Sequence, residues 1–194
     1  MPKIKIILGS NRPTRFAEQP GKWLLELGQK MEGAEFELID LAEVNLPFLD
    51  EPAPAMAGTY QNEHTKAWSK VIADADGFVF VVPEYNHGYT PVLKNAIDYL
   101  YHEWTNKPVA FLSYGSAAGG ARAVDQLRAV VGHISMYDIT EHVIMPEYYL
   151  NQDESGQYQF TERHEKAATT MLDSLTFWAE KMTAARKERA EQSK

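Results

Sequence analysis

The sequence predicts an α/β fold: one five-stranded parallel sheet with helices on both faces, a single domain over residues 1–194. Three observations lead there. Phe78-Val79-Phe80-Val81-Val82 is an unbroken apolar run with the β-branched and aromatic content of a strand buried on both faces. Strand-like and helix-like periodicity alternates along the chain as β-α-β-α-β-α-β-α-β-α, the pattern of parallel strands joined by helical crossovers. Three strands run into loops of small or polar residues, so three loops converge on one sheet edge, where open α/β sheets bind ligands.

Lys3 to Leu8 (KIKIIL) forms the first strand, and Gly9 ends it. Ser10, Asn11, Arg12, Pro13, Thr14 and Arg15 follow, then a helix with Trp23, Leu24, Leu27 and Met31 on its apolar face and Pro20 in its first turn. This strand–loop–helix suits a phosphate. Backbone N–H groups gather at the helix N-terminus, Ser10 and Thr14 add hydroxyls, and Arg12 and Arg15 add guanidinium forks. There is no GxGxxG and no Walker lysine, so dinucleotide and P-loop readings fail their own patterns. The plain alternative is a surface turn whose arginines pair with acidic neighbours.

Glu35 to Ile39 alternates as a second strand near a sheet edge. Asp40 to Gly58 is too long for a simple connector. Its Leu46, Pro47, Phe48 and Leu49 either cover a ligand site or a partner, or pack among themselves. Tyr60 to Ala75 reads as a helix burying Trp68, Val71 and Ile72, and Asp76-Gly77 turns into the central strand. Pro83 stops that strand. A polar turn carries Glu84, Tyr85, Asn86, His87 and Gly88 to Pro91, which suits a first helical position. Val92, Leu93, Ala96, Ile97 and Leu100 then share one helical face.

Val109 to Ser113 is a fourth strand, ending in the small-residue loop Tyr114 to Gly120. Small residues let a flat ligand approach the backbone. A helix with Val124, Leu127 and Val131 on one face follows. Ile134 to Met145 reads as a fifth strand and Asn151 to Gln159 as a polar turn. The terminal helix runs from Thr161 to about residue 188, with Met171, Leu175, Trp178 and Met182 as its apolar face.

The composition sets limits. At 44% hydrophobic and 24% charged residues, the chain has the balance of a water-soluble globular protein. Its apolar runs are strand-sized, which leaves no membrane span. Met1 to Leu8 enters a strand without a signal-peptide pattern, so the cytoplasm is expected. With no cysteine, disulfides, thiolate metal sites and dithiol redox chemistry are excluded, and a redox function needs an external cofactor. The six histidines lack paired ligand spacing, so no metal is assigned. The net charge of -8 disfavours nucleic acid as a partner. The basic tail from Lys181 reads as a solvated helix end.

Five strands, a phosphate-like first loop and no dinucleotide motif point to the flavodoxin-like three-layer sandwich with strand order 2-1-3-4-5. There a mononucleotide sits between strands one and three. The segments LGSNRPTR, VPEYNHGYTPVLKNAIDYL, EWTNKPVAFLSYGSAAGGARAVDQLR and LPFLDEP resemble the NADPH-dependent FMN reductase family, which includes flavodoxin-like quinone and azo reductases. The likeness runs from about Lys3 to Tyr149 and is most specific at PEYN and LKNAIDYL.

The resemblance implies FMN, with NADPH or NADH as hydride donor. Ser10, Arg12, Thr14, Arg15 and the adjoining Phe16 match the phosphate loop. Pro83, Glu84, Tyr85, Asn86 and His87 match the turn along the isoalloxazine ring, with His87 read as a loop residue rather than a proton donor. Thr90-Pro91-Val92 stands where Pro-Gly-Xaa is common. Ser113, Gly115, Ser116, Ala117, Gly119 and Gly120 match the loop at the ring's pyrimidine side, with helix amides after Gly119 facing N1–O2. No catalytic side chain is expected, because the cofactor bears the chemistry. Hydride passes from NAD(P)H to flavin N5, then two electrons pass to a quinone, azo or similar small-molecule acceptor by a ping-pong mechanism.

The alternative is a flavodoxin-type electron-transfer protein without its own NAD(P)H turnover, against which the two arginines argue. A third is a structural or regulatory protein of this fold that has lost FMN. A homo-oligomer, dimer or tetramer, is expected from the second face of the central helix, where Asp98, Tyr99, Tyr101, His102 and Trp104 lie. Partial burial of these residues under a neighbouring loop is the plain alternative.

Overall fold

Every residue of β3 (Gly77–Pro83) and β4 (Pro108–Tyr114) is buried, because both lie in the middle of one parallel sheet. β1 (Lys3–Leu8) and β2 (Glu35–Asp40) extend it on one side, and β5 (Tyr137–Asp138) and β6 (Val143–Met145) both pair with β4 on the other. The order is β2-β1-β3-β4-β5, with β6 also against β4. The structure is a computed structural model and describes residues 1–192; residues 193 and 194, the end of the expected 1–194 domain, lie outside the described residues.

The helices are α1 (Glu18–Gln29), α2 (Leu41–Val44), α3 (Glu63–Ala73), α4 (Pro91–Asp98), α5 (Ala121–His133) and α6 (Glu162–Gln192). Alternation along the strands divides the core. Phe78, Phe80 and Phe111 meet Trp68 of α3, Ile97 of α4 and Leu127 of α5 on one face. Val79, Val81 and Leu112 meet Leu24 of α1 and Leu172 and Leu175 of α6 on the other.

The fifth strand expected over Ile134 to Met145 is two short strands. Ile134 to Met136 still close α5, with the Ile134 N–H donating to Val130 O and that of Met136 to Val131 O. Ile139 is buried and its N–H still donates to Val109 O at 3.0 Å, and the polar residues Thr140, Glu141 and His142 then leave the ladder. Glu141 accepts a bond from Ser174 of α6 at 3.1 Å, and the His142 ring meets Thr140 O at 3.1 Å.

Trp178 and Met182 do not belong to the buried face of α6. That face is Ala168, Met171, Leu172, Leu175 and Ala179, while Trp178 is 44% exposed. The helix approaches β3 so closely that a Cβ on Gly77 would lie 3.4 Å from the Ala179 Cβ, a separation with no room for an indole. Beyond Ala179 the helix is held by polar contacts instead: Thr183 and Arg186 both donate to Asp76 Oδ1 at 2.7 Å.

The face expected to carry aromatics outward also differs. α4 ends at Asp98, so helical spacing does not continue to Leu100 or beyond. Tyr99 and Trp104 turn into the core, and the Trp104 indole donates to Ile97 O at 3.1 Å. The Tyr99 hydroxyl donates towards Pro47 O, Phe48 O and Asp50 Oδ1 at 3.0–3.2 Å, which ties down the long loop after α2. Asn95 adds bonds to Pro47 O and from Leu49 N–H. Phe48 stands out from this braced loop at 85% exposure.

Candidate functional site

Three loops meet at the carboxyl ends of β1, β3 and β4. Gly9 leaves β1 so close to β3 that its N–H donates to Val81 O at 2.9 Å. A Cβ there would lie 2.8 Å from that oxygen, so only glycine fits. The next residue, Ser10, is buried, with its Oγ 3.2 Å from the Tyr85 hydroxyl. Thr90 joins this loop to α4. It caps the helix by accepting the Leu93 N–H at 3.3 Å, ahead of Pro91 at the first helical position, and its hydroxyl donates to Gly9 O at 2.6 Å.

The loop after β3 doubles back sharply. Tyr85 and Gly88 exchange backbone bonds of 2.8 and 3.0 Å around Asn86 (φ 51°) and His87 (φ 71°). Two successive positive φ values define the mirror-image turn of tight hairpins. Glu84 leans on the third loop, where its carboxylate meets the N-terminus of α5 at Arg122. The helix amides expected to face a ligand therefore already have a protein carboxylate beside them. In the third loop Ser113 Oγ donates to Gly119 O at 2.8 Å. Gly120 (φ 86°) turns so tightly that a Cβ would come within 2.8 Å of the Tyr114 N.

Arg12, Thr14, Arg15, Phe16, Pro83, Glu84, Tyr85, Gly115 and Ser116 line one cleft of about 550 Å³, a volume typical of small-molecule sites. Ser10, Asn86, His87, Ser113, Ala117, Gly119 and Gly120 shape the three loops but do not line it. The cleft also takes in Gln19, Tyr114, Tyr148, Tyr149, Gln152 and Gly156, which the sequence reading missed. Tyr114 was within reach as the residue that ends β4. Gln19 lies in α1, and the other four come from the segment after β6, of which the sequence reading took only Asn151 to Gln159, as a polar turn.

That segment forms the far wall. Tyr148 stacks on Phe16 at 4.3 Å, and Phe16 meets Tyr114 edge-on at 5.0 Å. Gln19 of α1 clips the wall in place: its Nε2 donates to Gly156 O at 2.9 Å and its Oε1 accepts the Tyr158 N–H at 2.7 Å. Burial, with smaller contributions from Tyr85 and Tyr148, pushes the Tyr114 phenol well above its usual range, so it stays neutral.

The two arginines stand differently. Arg12 is exposed, and its guanidinium has no partner among the described residues. Arg15 is mostly buried and pairs with Asp40 and, at 3.0 Å, with Glu18, as the surface-turn alternative would have it. Its Nε nevertheless is buried without a partner. An orphaned donor and an unpaired guanidinium at one end of the cleft, with aromatic rings along the rest, fit an anionic group attached to a flat ring.

A flavodoxin-like sheet with such a cleft at its switch point defines a mononucleotide-binding α/β protein. The sequence model of the NADPH-dependent FMN reductase family matches residues 2–149, and the chain belongs to that family, whose cofactors are FMN and NAD(P)H. The chain is similar to an NAD(P)H-dependent FMN reductase of Schizosaccharomyces pombe, 46% identical over 137 residues that cover 70% of this chain and 68% of that one. It is similar to a 2-hydroxy-1,4-benzoquinone reductase of Burkholderia sp, 29% identical and covering 91% and 95% of the two chains. In fold it is similar to the NAD(P)H:(acceptor) oxidoreductase FerB from Paracoccus denitrificans, with a TM-score of 0.73, 22% identity, and coverage of 94% and 99%.

Proposed function

We propose that this chain is an FMN-dependent NAD(P)H oxidoreductase that reduces quinone, azo or similar acceptors by a ping-pong mechanism. The observation that carries this reading is the cleft itself: guanidinium groups without full partners at one end, and rings of Phe16, Tyr85, Tyr148 and Tyr149 along it. Bound FMN supplies the redox chemistry, taking hydride at N5 and returning two electrons to an acceptor.

The protein's part is to bind, orient and exclude water. Arg12, Arg15 and Thr14 would hold the phosphate, with Ser10 behind them against the Tyr85 hydroxyl. With FMN bound, the backbone of Pro83 to His87 would lie along the ring, and the loop from Ser113 to Gly120 would border its pyrimidine side. Glu84 is engaged with Arg122, so it steadies the two loops rather than moving a proton. The same cleft mouth admits donor and acceptor in turn, which is what a ping-pong order requires.

Assembly into a homodimer or homotetramer is part of the proposal. The support is Phe48, an exposed ring on a loop held at four backbone or carboxylate atoms by Tyr99 and Asn95. Among the described residues no helix is long and apolar enough to cross a membrane. A cytoplasmic location, where NAD(P)H is supplied, completes the reading.

The test is an absorbance spectrum of the purified chain with FMN, then anaerobic NADPH, then an acceptor panel of quinones and azo dyes. Bleaching by NADPH and recovery with acceptor are expected. Bound FMN that NADPH and NADH both fail to bleach would move the protein to the electron-transfer reading.

A further inference from the structure

The phosphate end of the cleft holds a residue pair that cofactor binding alone does not explain. Arg15 lines the cleft, and Asp40 ends the neighbouring strand β2. Both side chains are 13% exposed. Asp40 is fixed twice. It pairs in register with Leu8 of β1, and its Oδ1 accepts the Ala42 N–H at 2.9 Å as the N-cap of α2. Its Oδ2 accepts a bond from Arg15 Nη2, and Glu18 Oε1 lies 3.0 Å from the same nitrogen. One guanidinium nitrogen is thus held by two carboxylates. Nε, whose N–H lies on the same edge as Nη2, is buried and has no acceptor, a condition that native proteins rarely leave unmet without a water or a ligand.

We propose that Asp40 is a positioning residue for the flavin phosphate: it holds Arg15 by Nη2 and so fixes the guanidinium plane, leaving the Nε–H to donate to a phosphate monoester in the cleft. The proposal rests on the FMN reading above. Because the guanidinium is rigid and planar, holding Nη2 also sets the direction of the Nε–H. A long side chain that has to be ordered on binding loses rotamer freedom, and Asp40 has already removed it. Asp40 and Glu18 also offset the charge of Arg15. The contribution of Arg15 is then direction, while Arg12, without a carboxylate partner, contributes net charge. The group so recognised is a phosphate monoester on a flexible chain, which separates FMN from riboflavin.

The experiment titrates FMN and riboflavin separately into the flavin-depleted full chain and follows flavin fluorescence. Asp40→Asn keeps the size and the capping ability of the residue and removes its charge. The expected result is an FMN affinity about tenfold weaker, as for one hydrogen bond to a charged group, with riboflavin affinity unchanged. Arg15→Lys keeps the charge, loses the Nε–H, and leaves Asp40 in place; the same FMN-specific loss is expected. Unchanged or tighter FMN binding in Asp40→Asn, whatever Arg15→Lys does, or equal losses for both flavins, overturns the role of Asp40 while leaving the FMN reading intact. A wild-type chain that binds neither flavin overturns both.

Discussion

Glu84 lies across the N-terminus of α5, its Oε2 accepting the Arg122 backbone N–H at 3.2 Å and its Oε1 2.8 Å from the Arg122 guanidinium. Its side chain is nearly buried while that of Arg122 is half exposed, so the backbone contact and the helix dipole matter more than the screened ion pair. Together with the Glu84 N–H bond to Tyr114 O, this fastens the turn after β3 to the loop after β4. Glu84→Ala is expected to lower stability by about 1 kcal/mol and to weaken FMN binding by letting the two loops part. Urea unfolding and flavin titration check it; an unchanged midpoint and affinity would remove the fastening role.

Arg12 has no competing carboxylate, so its effect on the phosphate is direct. Arg12→Ala is expected to weaken FMN binding by about 2 kcal/mol, and the loss shrinks as salt screens the exposed charge. A titration in which Arg12→Ala binds FMN as well as wild type counts against the phosphate-loop assignment.

Thr90 performs two tasks with one oxygen, capping α4 and donating to Gly9 O. Thr90→Ala loses a cap, about 1 kcal/mol, and leaves a buried carbonyl without its donor at a further cost of about 1 kcal/mol. Thr90→Ser keeps the hydroxyl and is expected to unfold near the wild-type midpoint. Equal destabilisation of both variants would show that the methyl group, not the hydroxyl, matters.

Lys107 gives a pH signature. Its ammonium is buried, donates to Ile72 O at 2.8 Å and Ala73 O at 3.2 Å in the last turn of α3, and lies 5.6 Å from the centre of the Phe78 ring. Burial, reinforced by the charge of Arg186, pushes its pKa down from 10.5 to about 8. Between those values the unfolded chain binds the proton and the folded chain does not, so stability from this group rises with pH across that window. Below about pH 8 both states are protonated and the contribution is flat. Lys107→Met is expected to abolish the rise; urea midpoints measured from neutral pH up to the onset of tyrosine ionisation test it.

Much of this was legible in the sequence, for identifiable reasons. The runs at Ile6 to Leu8, Phe78 to Val82 and Val109 to Leu112 are buried on both faces, and continuous apolar runs show that without any partner in view. Thr90-Pro91 is a cap followed by a first-turn proline, a purely local signal. What failed was what depends on distant packing. Trp178 looked like core by spacing, but the near contact of α6 with Gly77 admits only Ala179. Tyr99 and Trp104 looked outward only on the premise that α4 continues past Asp98. The site divided in the same way. Loop residues beside strand ends were found, while Gln19 and the wall from Tyr148 to Gly156 reach the cleft through contacts more than a hundred residues apart in sequence, such as Gln19 with Gly156.

The far wall has a further consequence. The family match stops at residue 149, and Gln152 and Gly156 lie beyond it, strapped to α1 by the amide of one glutamine. That part of the cleft wall is thereby built from chain outside the family match. Exchanging the stretch between Leu150 and Tyr158 as a cassette would alter which molecules gain entry while the sheet and its phosphate anchor stay as they are.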